Sequence, residues 1–265
     1  IILLGFGMNL FEIFRVGSQS LLIIISTIGT ALVVSYAVSR IMKIDHDIAT
    51  LVGVGSSICG GSAIAAAAPV IKASDEDIAQ SISVIFLFNV IAAFLFPTLG
   101  AILGFNDMGF GMWAGTAIND TSSVVAAGQT WASASGSDTA LNYATIVKLT
   151  RTLAIIPICL GLAYLTSKRK ATTSEVKISS IFPMFIIYFL GASIINTFAG
   201  SHFDFFQFLP AIGKFMIAMA MAAIGLNTNL VKLIKTGGKP ILLGLICWFC
   251  IAVVSLAMQH LLNIW

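Results

Sequence analysis

The sequence predicts an all-α, polytopic membrane protein, on three observations. The chain is 58% hydrophobic and only 9% charged, with a mean hydropathy of +1.01, whereas a soluble domain carries about 25% charge. Apolar runs of roughly 18–25 residues, the length a helix needs to cross a bilayer, recur along the whole chain. Runs such as "SLLIIISTIGTALVVSYAV" do not alternate apolar and polar residues, as barrel strands do.

The expected segments are 1–10, 18–42, 48–71, 78–103, 111–128, 141–166, 180–199, 210–230 and 238–262. The first, "IILLGFGMNL", is apolar from its first residue and reads as the end of a helix. It has no initiator Met and no signal-peptide features, so further N-terminal helices are expected before it. Segment 18–42 is a continuous apolar run ending at Arg40 and Lys43. Segment 48–71 is interrupted by "GVGSSICGGS". Segment 78–103 carries Asn89 and Pro97, and segment 111–128 carries "AINDTSS". Segment 141–166 holds Lys148 and Arg151, and the polar "TSKRKATTSEVK" at 166–177 follows it as a seam. Segment 180–199 is apolar throughout. Segment 210–230 opens at Pro210, with Lys214 snorkelling. In 238–262, Cys247 and Cys250 read as two small apolar residues on one helix. Arg40, Lys43, Lys72, Lys168, Arg169, Lys170, Lys232, Lys235 and Lys239 mark cytoplasmic ends. The linkers 104–112, 129–140 and 200–209 contain no Lys or Arg, and Arg15 is a mild exception.

A shift of 60 residues lays Gly55 on Gly115, Ile58 on Ile118, Ser62 on Ser122, Ala66 on Ala126, Ala67 on Ala127 and Pro97 on Pro157 without a gap. "GSSICGGSAIAAAA" thus overlays "GTAINDTSSVVAAG", within a core unit at 44–166 inside a single transmembrane domain, 1–265. A looser match pairs "GFGMNLFEIFRVGSQSLL" with "GLNTNLVKLIKTGGKPIL". If 48–71 and 111–128 each dip in and return to their own side, both pairs become inverted and Arg40, Lys43 and Lys72 share one face.

Irregular backbone at membrane depth is tolerated only inside protein or beside a wet cavity. Secondary transporters use such breaks, with half-helix N-termini presenting partial positive charge to an anion. Breaks are expected over 53–62 and 115–123. Ser62 is expected to cap the helix after the first break, and Asp120 or Thr121 the helix after the second. The alternative is close helix packing through small residues, which fits "AIAAAA" better than "AINDTSS".

Three charges fall at depth: Asp120, Lys148 and Arg151. Lys148 and Arg151 are three apart and share a helix face with Thr145 and Thr152. With Ser56, Ser57, Gly60, Gly61, Ser62, Asn119, Thr121, Ser122 and Ser123 they form the expected substrate site, cationic and hydroxyl-rich, suited to a small oxyanion. Asp120 is the expected coupling residue: it neutralises one base in the empty carrier and takes a proton or Na⁺ when substrate arrives. The alternative is a structural ion pair of Asp120 with one base. Asn89 reads more readily as an interhelical hydrogen bond than as a ligand. His46, His202 and His260 lie in or beside linkers. Cys59 has no base in its segment for nucleophilic catalysis, and metal-ligand spacing is absent.

The pair "GVGSSICGGSAIAAAAPVI" and "GTAINDTSSVVAAG", followed by "IVKLTRTLAIIP" and "AMAAIGLNTNL", resembles the YeiH-type family of bacterial inner-membrane proteins, called sulfate exporters. The resemblance runs over the whole chain. It implies kinship with bile acid:sodium symporters and sodium/proton antiporters, with inverted repeats and paired discontinuous helices. The expected function is export of a small sulfur oxyanion such as sulfate or sulfite by a multi-pass protein of the bacterial inner membrane. Its partners are the anion, the lipid bilayer and a second copy in a homodimer, with no nucleic acid, no metal and no cofactor beyond a coupling proton or Na⁺. An anion channel and a sodium- or proton-coupled organic anion carrier are the rivals, and an enzyme is a distant third.

Overall fold

The computed structural model describes residues 2–170, 184–199, 208–213, 215–216, 219 and 238–265, and every regular element among them is a helix. A 3-10 turn, Ile2–Gly7, precedes α1 (Leu10–Met42), α2 (His46–Ser57), α3 (Gly61–Ile71), α4 (Asp75–Ile102), α5 (Asp107–Ala117), α6 (Thr121–Ser135), α7 (Thr139–Thr152), α8 (Ile155–Lys170), α9 (Met184–Ala199) and α10 (Gly238–Leu261). Among the described residues, four helical stretches are long and apolar enough to cross a membrane: Leu10–Met42, Asp75–Ile102, Thr139–Thr166 and Gly238–Leu261. The chain is a multi-pass α-helical membrane protein. Most of 210–230, the seam beyond Lys170, the partner motif "GLNTNL", His202, Lys214, Lys232 and Lys235 lie outside the described residues.

The helix after the first segment starts earlier than expected. Residues 2–7 form a 3-10 helix that ends at Gly7, and α1 then starts at Leu10 rather than at 18, with Asn9 Oδ1 accepting the Phe11 N–H at 2.8 Å. The polar residues before position 18 did not delay it, because Arg15 and Ser18 lie on its exposed side.

Two of the expected spans are helical hairpins. In the second, Trp131 of α6 stacks on Phe110 of α5 with ring centroids 4.1 Å apart, and its Nε1 donates to Asp107 Oδ1 at 2.8 Å. On one straight helix, positions 107 and 131 would be about 36 Å apart, so the chain reverses between them. The first hairpin shows the same reversal. Carboxylate oxygens of Asp45 and Asp47, at the start of α2, lie within 4.8 Å of that of Asp77, in the first turn of α4, which begins four residues after α3 ends. Near its tip, a methyl group on Gly55 would lie 2.9 Å from Ile64 Cδ1. Crosslinking tests this fold: with the native cysteines replaced, an Asp107→Cys/Trp131→Cys pair is expected to join intramolecularly through a short bifunctional thiol reagent. Failure of the pair to join would remove the reversal.

Helix α4 sets the two hairpins against each other. Its N-terminus, capped by Ser74 and rich in acid at Asp75, Glu76 and Asp77, follows the mouth of the first hairpin. Its C-terminus leads into the mouth of the second, where Asn106 Oδ1 caps α5 by accepting the Gly109 N–H. The hairpins therefore enter from opposite ends of a helix about 42 Å long. Both tips meet it at Asn89, fourteen residues from Asp75 and thirteen from Ile102.

The stretch Thr139–Thr166 bends where α7 gives way to α8. Pro157 has no N–H to offer the Leu153 carbonyl, and the ladder tightens there to Leu153 N–H→Thr150 O (3.2 Å) and Ala154 N–H→Arg151 O (3.1 Å). Lys148 and Arg151 thus sit half-way along a membrane-length stretch. Apolar clusters flank the tips. One joins the first hairpin to α4, α8 and α10 through Val54, Ile64, Phe88, Cys159 and Leu243. The other joins the second hairpin to α4 and α10 through Phe96, Trp113, Val124 and Ile251.

Candidate functional site

The breaks are shorter than the sequence predicts. Helix persists through Ser57 and through Ala117, and only 58–60 and 118–120 are irregular. The glycines expected to break the helix instead let neighbours approach. A methyl group on Gly53 would lie 2.8 Å from the Ser35 side chain, and one on Gly115 would lie 2.8 Å from Val147 Cβ. The two breaks are offset by the same 60 residues as the sequence match, so Ile58, Cys59 and Gly60 correspond to Ile118, Asn119 and Asp120.

The tips abut. A methyl group on Gly60 would lie 3.5 Å from Asp120 Cβ and 3.4 Å from Asn89 Nδ2, and the Asp120 N–H donates to Asn89 Oδ1 at 3.1 Å. Asn89 therefore acts as an interhelical hydrogen bond, tying mid-α4 to the second tip.

Lys148 and Arg151, both fully buried, reach both tips. Lys148 Nζ donates to Ile58 O (2.6 Å), Ile118 O (3.0 Å) and Asn119 O (2.5 Å). Arg151 donates through Nε to Ser57 O (2.7 Å), through one terminal nitrogen to Ser56 O (2.6 Å) and through the other to Thr116 O (2.5 Å). These are the carbonyls that the ends of α2 and α5 leave without helical partners. Each helix C-terminus carries about half a negative charge, and two cations held against two such ends satisfy orphaned acceptors at membrane depth. Lys148 and Arg151, expected as substrate ligands, are placed against the half-helix ends: every Lys148 donor has a carbonyl within reach, and so does every nitrogen of Arg151.

Asp120 forms an ion pair with neither base. Its carboxylate caps α6, with Oδ2 accepting from Ser122 N (2.9 Å), Ser123 N (3.2 Å) and the Ser122 hydroxyl. The expected neutralisation of Lys148 or Arg151 by direct pairing is thus replaced by capping. At the corresponding place in the first tip, Gly60 has φ +70° and provides no side-chain cap. Ser62 does not cap α3; it lies in the first turn, exposed. The Gly61 and Ser62 N–H groups have no acceptor among the described residues.

The other predicted site residues divide. Ser57 turns its hydroxyl back to Val54 O at 2.9 Å. Thr121 is buried in the first turn of α6. Thr145 and Thr152 bond to their own helix and contribute nothing to the tips. Among the described residues, the Ser56 hydroxyl and both ends of the Asn119 amide are buried without a hydrogen-bond partner. Unpaired polar atoms of this kind cost about 1–3 kcal/mol each and call for explanation.

Sequence reasoning missed the support behind the second tip. The Thr116 hydroxyl meets the Ser255 hydroxyl at 2.6 Å. With its amide oriented to satisfy both ends, Gln259 donates to Gly109 O (3.0 Å) and accepts from Trp113 N (3.1 Å). The signal was present as two polar residues four apart in "VVSLAMQHL".

The family model described as Conserved hypothetical protein 698 matches residues 1–244. The chain is 58% identical over 271 residues to the UPF0324 membrane protein of Streptococcus pyogenes serotype M3, covering 100% of this chain and 80% of that protein. Its identity to the UPF0324 membrane protein of Streptococcus mutans serotype c is 56% over 273 residues, again 100% of this chain and 80% of the relative. For the Fusobacterium nucleatum protein of the same description, the figures are 54% over 279 residues, 100% and 81%. No solved structure matches.

Proposed function

The chain belongs to the family described as Conserved hypothetical protein 698, and from that footing we propose that it is a secondary transporter of a small sulfur oxyanion, sulfate- or sulfite-like, acting as an exporter in the bacterial inner membrane. The observation that carries this reading is the meeting of two hairpin tips, 58–60 and 118–120, half-way along α4. Irregular backbone at that depth belongs beside a substrate path.

The two 60-residue units support an inverted repeat. Each consists of a hairpin, which makes no net crossing, and one membrane-length stretch, which makes one. The second unit therefore starts from the opposite side. The basic residues agree: Arg40, Lys43 and Lys72 lie at the first mouth, and the second has neither Lys nor Arg. The sulfur oxyanion and the outward direction rest on the YeiH resemblance alone.

The carrier is preferred to an anion channel because Lys148 and Arg151 are occupied by carbonyls and do not line an open cationic filter. Asp120, half-buried and unpaired with a base, is the acid available for coupling to a proton or Na⁺. The test is sulfate and sulfite flux from proteoliposomes. Saturable flux that depends on an imposed proton or sodium gradient is expected. Non-saturating flux that follows voltage alone would favour the channel, and absence of flux for both anions would remove the substrate class.

A further inference from the structure

We propose that the charge on Asp120 sets the valence of the anion the site accepts: a monoanion when Asp120 is ionised, and a dianion when its charge is removed. This rests on the reading of the paired tips as the substrate site.

Charges of both signs gather where the tips meet. Lys148 Nζ faces three carbonyl acceptors, which only the protonated amine with its three N–H donors satisfies, and Arg151 adds a second positive charge; both side chains are fully buried. They are bonded to the carbonyl ends of α2 and α5, each worth about half a negative charge. Helices α3 and α6 start at the same place, and each N-terminus adds about half a positive charge. Asp120 caps one of them with a full negative charge. Gly60, its counterpart, adds none. The sum is about one positive charge, left beside the uncapped end of α3. A buried net charge is unfavourable in a medium of low dielectric, so the ligand that brings the sum to zero is the favoured one.

A second observation, independent of the helix ends, points to a ligand there. Asn119 is 1% exposed, and neither its amide oxygen nor its amide nitrogen has a partner among the described residues. It sits in the tip that abuts Gly60, one residue before Asp120. The Ser56 hydroxyl, in the last turn of α2, is likewise buried and unpaired. With the Gly61 and Ser62 N–H groups, the two abutting tips carry neutral donors beside a small residual positive potential. That chemistry binds an oxyanion without direct contact from Lys148 or Arg151. It also gives the 60-residue offset a chemical meaning: the units are alike in backbone, but Gly60 against Asp120 makes one helix end a receptor and the other a regulator of its charge.

Two probes of nearly one shape separate valence from size: methanesulfonate, one negative charge, and sulfate, two. Both are fully ionised at pH 7, so neither changes charge in the assay. Binding to the purified full chain in detergent is measured for wild type, Asp120→Asn and Asp120→Ser; both variants keep a helix-capping side chain. Wild type is expected to bind methanesulfonate more tightly than sulfate. In both variants the preference is expected to reverse, with the ratio of the two dissociation constants moving by roughly tenfold or more. Asp120→Glu is expected to retain the wild-type order. Asn119→Leu is expected to weaken both probes by a similar factor and leave their ratio unchanged. A ratio that stays at its wild-type value in Asp120→Asn and Asp120→Ser, with both probes still bound, overturns the valence rule and leaves the site standing. If neither probe binds any of these proteins, the substrate-site reading falls, and the valence rule with it.

Discussion

Arg151→Leu is expected to lose the folded protein before it loses any affinity for substrate. Arg151 is fully buried, and its guanidinium holds the carbonyls of Ser56, Ser57 and Thr116, which belong to both entering half-helices. Leucine fills much of the volume but leaves those three acceptors unpaired at a depth where no bulk water replaces the donor. Breaking a buried charged interaction by removing one partner costs about 3–5 kcal/mol, against a total stability of about 5–15 kcal/mol for a typical domain. A fall in melting temperature of roughly 10 °C or more is the expected reading in detergent. Arg151→Lys keeps the charge but loses the planar fork that spans two helix ends, and an intermediate fall is expected. Arg15→Gln, on the exposed side of α1, is the control and is expected to change stability by no more than about 0.5 kcal/mol. An Arg151→Leu protein that melts like wild type while losing anion binding would contradict the clamp and return Arg151 to the role of ligand.

That prediction reverses the weight the sequence placed on Arg151, and the reason is physical. Sequence shows that a cation lies at membrane depth; it does not show which acceptors surround it. Helix ends supply acceptors without any side chain to announce them, so "IVKLTRTLAIIP" reads the same whether its donors face an anion or six backbone carbonyls. The 60-residue offset was more legible, because a break in a helix is a property of the backbone. It located Ile58–Gly60 against Ile118–Asp120 and Pro97 against Pro157, and both breaks occur in that register. The reversals were legible through the two repeat matches, which both become inverted if the segments return, and through the distribution of Arg40, Lys43 and Lys72, since re-entry leaves a mark on charge topology and almost none on hydropathy. The widths of the breaks were misjudged because glycine is ambiguous: at Gly60 a positive φ requires it, whereas at Gly53 and Gly115 a neighbouring helix does.

Gly111→Ala is expected to have the second-largest effect, and it isolates that second use of glycine. In a helix interior, alanine is favoured over glycine by about 1 kcal/mol, so helix propensity alone predicts a gain. Packing predicts a loss. A methyl group on Gly111 would lie 2.6 Å from Tyr143 Cβ and 2.7 Å from the Ala140 carbonyl oxygen. The second of these is backbone and has no rotamer with which to yield. Relief requires α5 to move off α7, and overpacking of this kind costs about 1–3 kcal/mol. The movement has a defined consequence at the site. Lys148 rides on α7, while the Ile118 and Asn119 carbonyls it binds lie at the end of α5. Separating the helices therefore lengthens two of its three bonds. Gly115→Ala, with a methyl 2.8 Å from Val147 Cβ and 2.9 Å from Ala144 O, presses the same pair apart one turn closer to the tip. Gly29→Ala provides the contrast: Gly29 is exposed within α1 with nothing within 4 Å of the added methyl, so only the propensity gain remains. Melting curves of the three variants should place Gly111→Ala and Gly115→Ala below wild type and Gly29→Ala at or above it. Gly111→Ala melting above wild type would mean that α5 and α7 are not in contact at this position, and the clamp at the tip would lose the helix pair that aligns it.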